Sequence, residues 1–407
     1  VKNLKIIEAD YILTCNEKFE ILKNKAICFN EKILDIGTTW ELQKNYPDAK
    51  VIKLKPNQIL MPGLINPHVH LEFSSNKGNL RFGNFIGWLN TVIEKREEIL
   101  ESCSNEVIEK QLKMMQKSGT TSFGAISSFG RDFKACKNTP LRVVFFNEIL
   151  GSRPDAVDIL FEDFKYRLRI CEDSEDERLK PAISIHSPYS THPILAKNAL
   201  DIAKKRGYVV STHFMESKAE REWMDSASGE FSDFFNNFAP NAKPMGTPLE
   251  FIEQFKGIKT LFTHCVYANE NEIKKIKEIE GFITHCPVSN RLLGSSRLKI
   301  EKIDKNILNL GTDGLSSNIS LNLWDEMRMA LMMHFEGNLT QLCELLLKMV
   351  TIQSAKALNL NTGVLENGKF ADFIVCEVPT CKEDELSLNL ILHTKFTKAT
   401  YVAGEEI

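Results

Sequence analysis

The sequence predicts an α/β protein: a (β/α)8, TIM-like barrel with a small discontinuous β-sandwich built from both termini. Three observations carry that expectation. Between residues 59 and 360, short apolar strands alternate with helical stretches, as parallel strands with crossover helices do. Six of those strands end in a histidine or an aspartate, and a barrel gathers its active-site groups where its strands end. Outside that span, residues 1–58 and 361–407 hold only short strand-like runs, too few at either end to make a stable sheet alone.

Length and composition agree. A chain of 407 residues has room for one barrel and a smaller domain, and 26% charged with 43% hydrophobic residues is ordinary for a globular protein. A formal net charge of -3 offers nothing to nucleic acid or to an anionic membrane. The N-terminal residues lack the apolar core of a signal peptide, and no run approaches the roughly 18 apolar residues that span a bilayer, so a cytoplasmic protein is expected. The ten cysteines form no Cys-x-x-Cys and read as reduced, mostly buried thiols. Cys265 and Cys286 follow histidines, but neighbours on a strand point opposite ways, which favours packing over metal binding. A homo-oligomer is left open.

In chain order, residues 2–37 read as short strands with a turn at Asn30-Glu31, and residues 368–376 and 398–404 supply the missing strands of the same sheet. Barrel strand one is the apolar run from Ile59 that ends in His68 and His70, and a helical region covers 85–116 until Gly119 breaks it. Strands two and three are expected at 120–126 and 141–149, strand four at 182–186 ending in His186, and strand five at 208–213 ending in His213. Strands six, seven and eight end in His264, His285 and Asp313. Helices are expected near 156–170, 193–206, 270–280, 321–333 and 339–358. His192, His334 and His393 lie away from the strand ends and receive no role.

The polar strand ends suggest chemistry. Residues two apart on a strand face the same side, so His68 and His70 can grip one ion. A hydrolytic metal needs three or four protein ligands and an open position. His68, His70, His213 and Asp313 supply three nitrogens and a carboxylate, which suits one Zn²⁺ or, alternatively, Fe²⁺. His213 alone would read as a core histidine; convergence with strands one and eight reverses that. Glu216, three residues on, can take a proton from water and pass it to a substrate, as deamination of a ring amidine demands. His264 can hold the attacking water, and Asp313 can both bind metal and accept a hydrogen bond from that water. Strand four ends in His186 where a two-metal site bridged by a modified side chain would want lysine, so a single divalent metal is expected.

These motifs resemble a known family. His68-x-His70, His213-x-x-Glu216, Thr263-His264-Cys265, His285-Cys-Pro-Val-Ser-Asn290 and Gly311-Thr-Asp313 are similar, in order, to the motifs of the amidohydrolase superfamily, in its branch acting on purines, pyrimidines and triazines. Met61-Pro-Gly-Leu-Ile-Asn-Pro-His68 and Gly363-Val-Leu-Glu-Asn-Gly-Lys-Phe-Ala-Asp372 resemble the family's lead-in to the barrel and its exit. The resemblance implies the same metal ligands, Glu216 as proton shuttle and His264 as a catalytic histidine. It also implies that His186 touches the substrate and that Trp88-Leu89 with Glu97 line a sugar site.

More narrowly, Asn66-Pro-His-Val-His-Leu-Glu-Phe-Ser74 and Phe146-Asn-Glu-Ile-Leu-Gly-Ser152 resemble the aminofutalosine deaminases of a menaquinone pathway. Those enzymes remove the 6-amino group of the adenine in 6-amino-6-deoxyfutalosine, a nucleoside that also carries a benzoate. A carboxylate in an apolar pocket wants a guanidinium that can donate two parallel hydrogen bonds, and Arg153 is the first choice, ahead of Arg81. The alternatives are the same chemistry on methylthioadenosine, S-adenosylhomocysteine, adenosine or another ring, and, more distantly, a non-catalytic scaffold.

Overall fold

The structure, a computed structural model, describes residues 4–76, 78–236 and 242–407; Lys2 and Asn3, at the start of the N-terminal strand reading, lie outside them. The two termini build one eight-stranded sheet. Its strands run, edge to edge, Glu405–Glu406, Ala399–Val402, Phe373–Glu377, Gln58–Pro62, Lys5–Leu13, Ile21–Phe29 and Ile33–Gly37, with Lys50–Lys53 also paired to Lys5–Leu13. Pairing is antiparallel except where Lys5–Leu13 meets Lys50–Lys53 and Gln58–Pro62. The sheet closes over its own core, in which Phe373 stacks on Tyr401 at 4.5 Å and meets the edge of Phe29 at 5.0 Å.

The second sheet also has eight strands, all parallel and in chain order: Leu64–Val69, Thr120–Ser127, Arg142–Ile149, Leu179–Ile185, Val210–Phe214, Thr260–His264, Phe282–His285 and Leu308–Leu310. Most of their residues are buried, as expected for strands covered by helices outside and packed side chains within. The apolar run from Ile59, expected to be one strand, is two. Residues 58–62 belong to the terminal sheet, and the barrel's own first strand begins at Leu64. The break falls at Gly63, whose amide donates to the Asp372 carbonyl at 3.1 Å and whose missing Cβ leaves the space filled by Thr121.

Two expected helices are likewise interrupted. Region 85–116 forms Phe85–Ser102 and Asn105–Lys117, parted where Cys103 turns inward towards the Leu71 carbonyl. Region 339–358 forms Leu339–Met349 and Ile352–Ala357, because the Val350 carbonyl at the break accepts from Ile65 of barrel strand one. Helix Pro193–Arg206 has the expected bounds. His192 caps its start through Nδ1, and Gly207 at φ +70° ends it.

Among the described residues no ladder pairs strand eight with strand one, yet the gap is bridged. The Asp313 amide donates to the His68 carbonyl at 3.1 Å, Thr312 donates to Asn66 Oδ1, and Asn66 Nδ2 donates to Thr312 Oγ1. Gly311 and Gly314 permit this approach, since a Cβ on Gly314 would sit 2.8 Å from that of His70. Among the described residues, no helix is long and apolar enough to cross a membrane, and all ten cysteines are free.

Candidate active site

That seam places the end of strand eight beside the paired histidines of strand one. His68, His70, His213 and Asp313 each offer a ligand atom, and these atoms lie within 4.8 Å of one another. His213 and Asp313 are each aimed by a second contact. His213 Nδ1 donates to the His186 carbonyl at 2.8 Å, so its Nε2 carries a lone pair and lies 3.3 Å from Nε2 of His70. Asp313 Oδ2 accepts from Ser289 and Ser317 at 2.7 and 3.0 Å, while Oδ1 is 3.7 and 3.5 Å from Nε2 of His68 and His70.

The donor set fits a cation. Nε2 of His68 is buried and has no hydrogen-bond partner, and a cation is what an orphaned lone pair among three other donors lacks. Burial pushes His70 down to about 4 and His213 well below the usual histidine range, so both are neutral at pH 7, the form that binds metal. Burial alone would raise Asp313, but the imidazoles of His68, His70 and His264 around it outweigh that and hold it well below the usual carboxylate range.

Glu216 and His264 flank this cradle. Glu216 Oε1 lies 3.5 Å from His264 Nε2, which is itself 3.9 Å from Asp313 Oδ2 and has no hydrogen-bond partner. His264 Nδ1 donates to Asn290 Oδ1 at 2.8 Å. The turn that presents Glu216 is fixed by Glu220, whose carboxylate accepts from the amides of Met215 and Glu216 at 2.8 and 2.9 Å. His264 and Asp313 have φ of +74° and +59°, left-handed conformations that non-glycine residues adopt at a cost and that here turn both strand ends towards the cradle. Burial, with Asp313 and Glu220 adding to it, pushes Glu216 well above the usual carboxylate range.

Above the cradle lies a cavity of about 270 Å³. His186 lines it and gives Nδ1 to Ser190 Oγ at 2.5 Å, which leaves Nε2 for a bound molecule. Trp88 also lines it, tethered by Nε1 to the Ser316 carbonyl at 2.8 Å. Two expected contacts are not brought there. Glu97 is exposed on the outer side of its helix and does not line the cavity. Arg153 does not line it either; its side chain is 63% exposed and pairs with Asp155, although its neighbours Gly151 and Ser152 are in the wall. Arg81 is exposed and outside the lining as well. His285 is buried against His334, Nε2 to Nε2 at 3.1 Å, and lies outside the cradle.

Sequence reading missed Arg96 and Glu148. Arg96 continues the helical stripe of Trp88, Leu89, Val92 and Ile93, all cavity-lining, and Glu97 falls about 100° further round. Their spacing was the available signal. Glu148, next to the last residue of strand three, is fully buried and accepts from Ser184 Oγ at 3.1 Å and from Ser128 Oγ. Only its place near a strand end pointed to it.

A sequence model of the amidohydrolase family matches residues 59–407. The chain is 44% identical to an aminodeoxyfutalosine deaminase of a Nitratiruptor species over 99% of both chains. It is 35% identical to an adenosine deaminase of Helicobacter pylori, again over 99% of both. A crystal structure of Helicobacter pylori aminofutalosine deaminase with methylthio-coformycin superposes with a TM-score of 0.93 at 35% identity, covering 99% of this chain and 100% of that one. Sharing barrel, terminal sheet and sequence from end to end with these deaminases, the chain belongs to the amidohydrolase family and is a hydrolytic aminohydrolase.

Proposed function

We propose that this chain deaminates 6-amino-6-deoxyfutalosine to futalosine and ammonia, in the cytoplasm and in the service of menaquinone synthesis. The observation that carries the chemistry is the contact of Glu216 with His264 at 3.5 Å, beside four converging donors on the floor of a cavity. The substrate is supported by the 44% identity to a deaminase of that name.

His68, His70, His213 and Asp313 would hold one divalent ion, and three imidazole nitrogens with one carboxylate suit Zn²⁺, with Fe²⁺ as the alternative. Such an ion supplies Lewis acidity that makes water at the site acidic near neutral pH. Glu216 takes a proton from the attacking water and gives it to N1 of the purine as a C–O bond forms at C6; it then carries the second proton to the amine as the C–N bond breaks and ammonia leaves. His264, neutral because burial lowers it to about 4, orients the attacking oxygen and offsets the charge that builds beside it. His186 and Trp88 hold the nucleoside from the cavity wall.

A second reading, a neutral adenine nucleoside as substrate, is favoured by the 35% identity to an adenosine deaminase. Ammonia release from aminofutalosine, adenosine, methylthioadenosine and S-adenosylhomocysteine separates the two. Aminofutalosine is expected to give the highest kcat/KM. A higher value for a neutral nucleoside replaces the substrate assignment, and no ammonia from any of them removes the mechanism.

A further inference from the structure

The floor of the cavity is acidic, with Glu148, Glu216 and Asp313 all in its lining, and much of the wall around it is apolar. One guanidinium, that of Arg96, lines the same cavity. It is half-buried, and among the described residues no carboxylate or hydrogen-bond acceptor engages it; its contact is the face of Phe129, at 5.9 Å from the ring centroid. Elsewhere in the chain, arginines with comparable or greater shielding are paired: Arg142 with Asp372, Arg167 with Asp163, Arg221 with Glu272. A half-buried guanidinium without a counter-charge is costly unless a bound anion completes it.

Its position is fixed from both sides. The loop that carries Phe129 is clamped by Glu72, a buried carboxylate that accepts from the amides of Ser128, Phe129 and Arg131. Arg131 in turn donates to the Leu100 carbonyl at 2.9 Å, tying that loop to the helix on which Arg96 stands. Ser128 of the same loop reaches Glu148, so the loop spans from the acidic floor to the guanidinium.

The geometry points to Arg96 as the residue that reads a carboxylate at the end of the substrate remote from the reacting ring, with Phe129 and the apolar stripe of Val92 and Ile93 flanking an aromatic group that bears it. Arg96, rather than Arg153, thereby selects an aromatic carboxylate over neutral adenine nucleosides. This rests on the deaminase reading above.

The test is the ratio of kcat/KM for aminofutalosine to that for methylthioadenosine, in metal-loaded wild type, R96Q and R96K. Losing a charge-assisted, forked contact is expected to lower the ratio about 10- to 100-fold in R96Q, chiefly through KM, and by less in R96K, which keeps the charge without the fork. Benzoate should compete with methylthioadenosine in the wild type and at least about 10-fold less well in R96Q. Equal losses on both nucleosides, or benzoate inhibition that R96Q leaves alone, overturn the assignment. If the wild type releases no ammonia from any nucleoside, the deaminase reading has failed; benzoate titrated calorimetrically into wild type and R96Q then decides the anion seat independently, and equal affinities sink it.

Discussion

Glu216 is useful because it is buried. In water a carboxylate of ordinary acidity would be a poor proton donor at pH 7, whereas desolvation and the nearby Asp313 raise this one, which favours the protonated form that a donor must pass through. Glu216→Gln keeps size and hydrogen bonding but cannot shuttle. It should retain stoichiometric metal while losing roughly 10²- to 10⁴-fold in kcat. Metal analysis beside steady-state kinetics checks this, and a near-wild-type kcat would remove the shuttle. The strand-end histidines were readable in the sequence because a barrel strand fixes where its last side chain points. Arg153 and Glu97 lacked that constraint, and neither lines the cavity. A loop residue can turn to a local partner, as Arg153 does to Asp155, and on a helix one residue's error swings a side chain out of the cavity.

Helix Leu323–Met333 shows how an element outside the barrel supports the site. Its Glu326 is 1% exposed and accepts from Asn318 Nδ2 and the Val288 amide, bracing the segments that carry Ser317 and Ser289 against Asp313. Burial, helped by Asp313 and Asp325, lifts its pKa from 4.5 to about 8. The sign follows from proton counting. Between those values the folded chain holds a proton that the unfolded chain has released, so this group's contribution is complete below about 4.5 and is lost as pH rises through about 8. The melting midpoint of the wild type should therefore fall from pH 6 to pH 9 by roughly 2 °C more than that of Glu326→Gln. Parallel slopes would show that Glu326 is ionised throughout. Helix phase was legible at this scale, but the breaks at Cys103 and Val350 were not. Each is dictated by a backbone or thiol contact to barrel strand one or the residues that follow it, which periodicity cannot register.

Across the whole molecule, a buried ion pair spans the two sheets. Arg142 of barrel strand three is 2% exposed and gives Nε and Nη2 to the two carboxylate oxygens of Asp372, at 2.6 and 3.2 Å, with Phe370 packed 3.8 Å from its guanidinium. Asp372 also accepts from the Ala403 amide, and its carbonyl takes the amide of Gly63, where the chain passes from the terminal sheet into strand one. The discontinuous sheet itself was legible as short strands at both ends of the chain. The passage at Gly63 was hidden, because residues 59–65 are apolar on both sides of it and two buried strands in succession look like one. Asp372→Ala would leave Arg142 charged, buried and unpaired, and should cost about 3–5 kcal/mol in urea unfolding, whereas removing both charges with Arg142→Met and Asp372→Leu should recover part of that loss. If Asp372→Ala unfolds at the wild-type midpoint, the pair does not hold the sheets together. If it unfolds in two steps, with the terminal sheet going first, His68 and His70 follow directly from the strand that sheet anchors, and bound metal should be released in the first step.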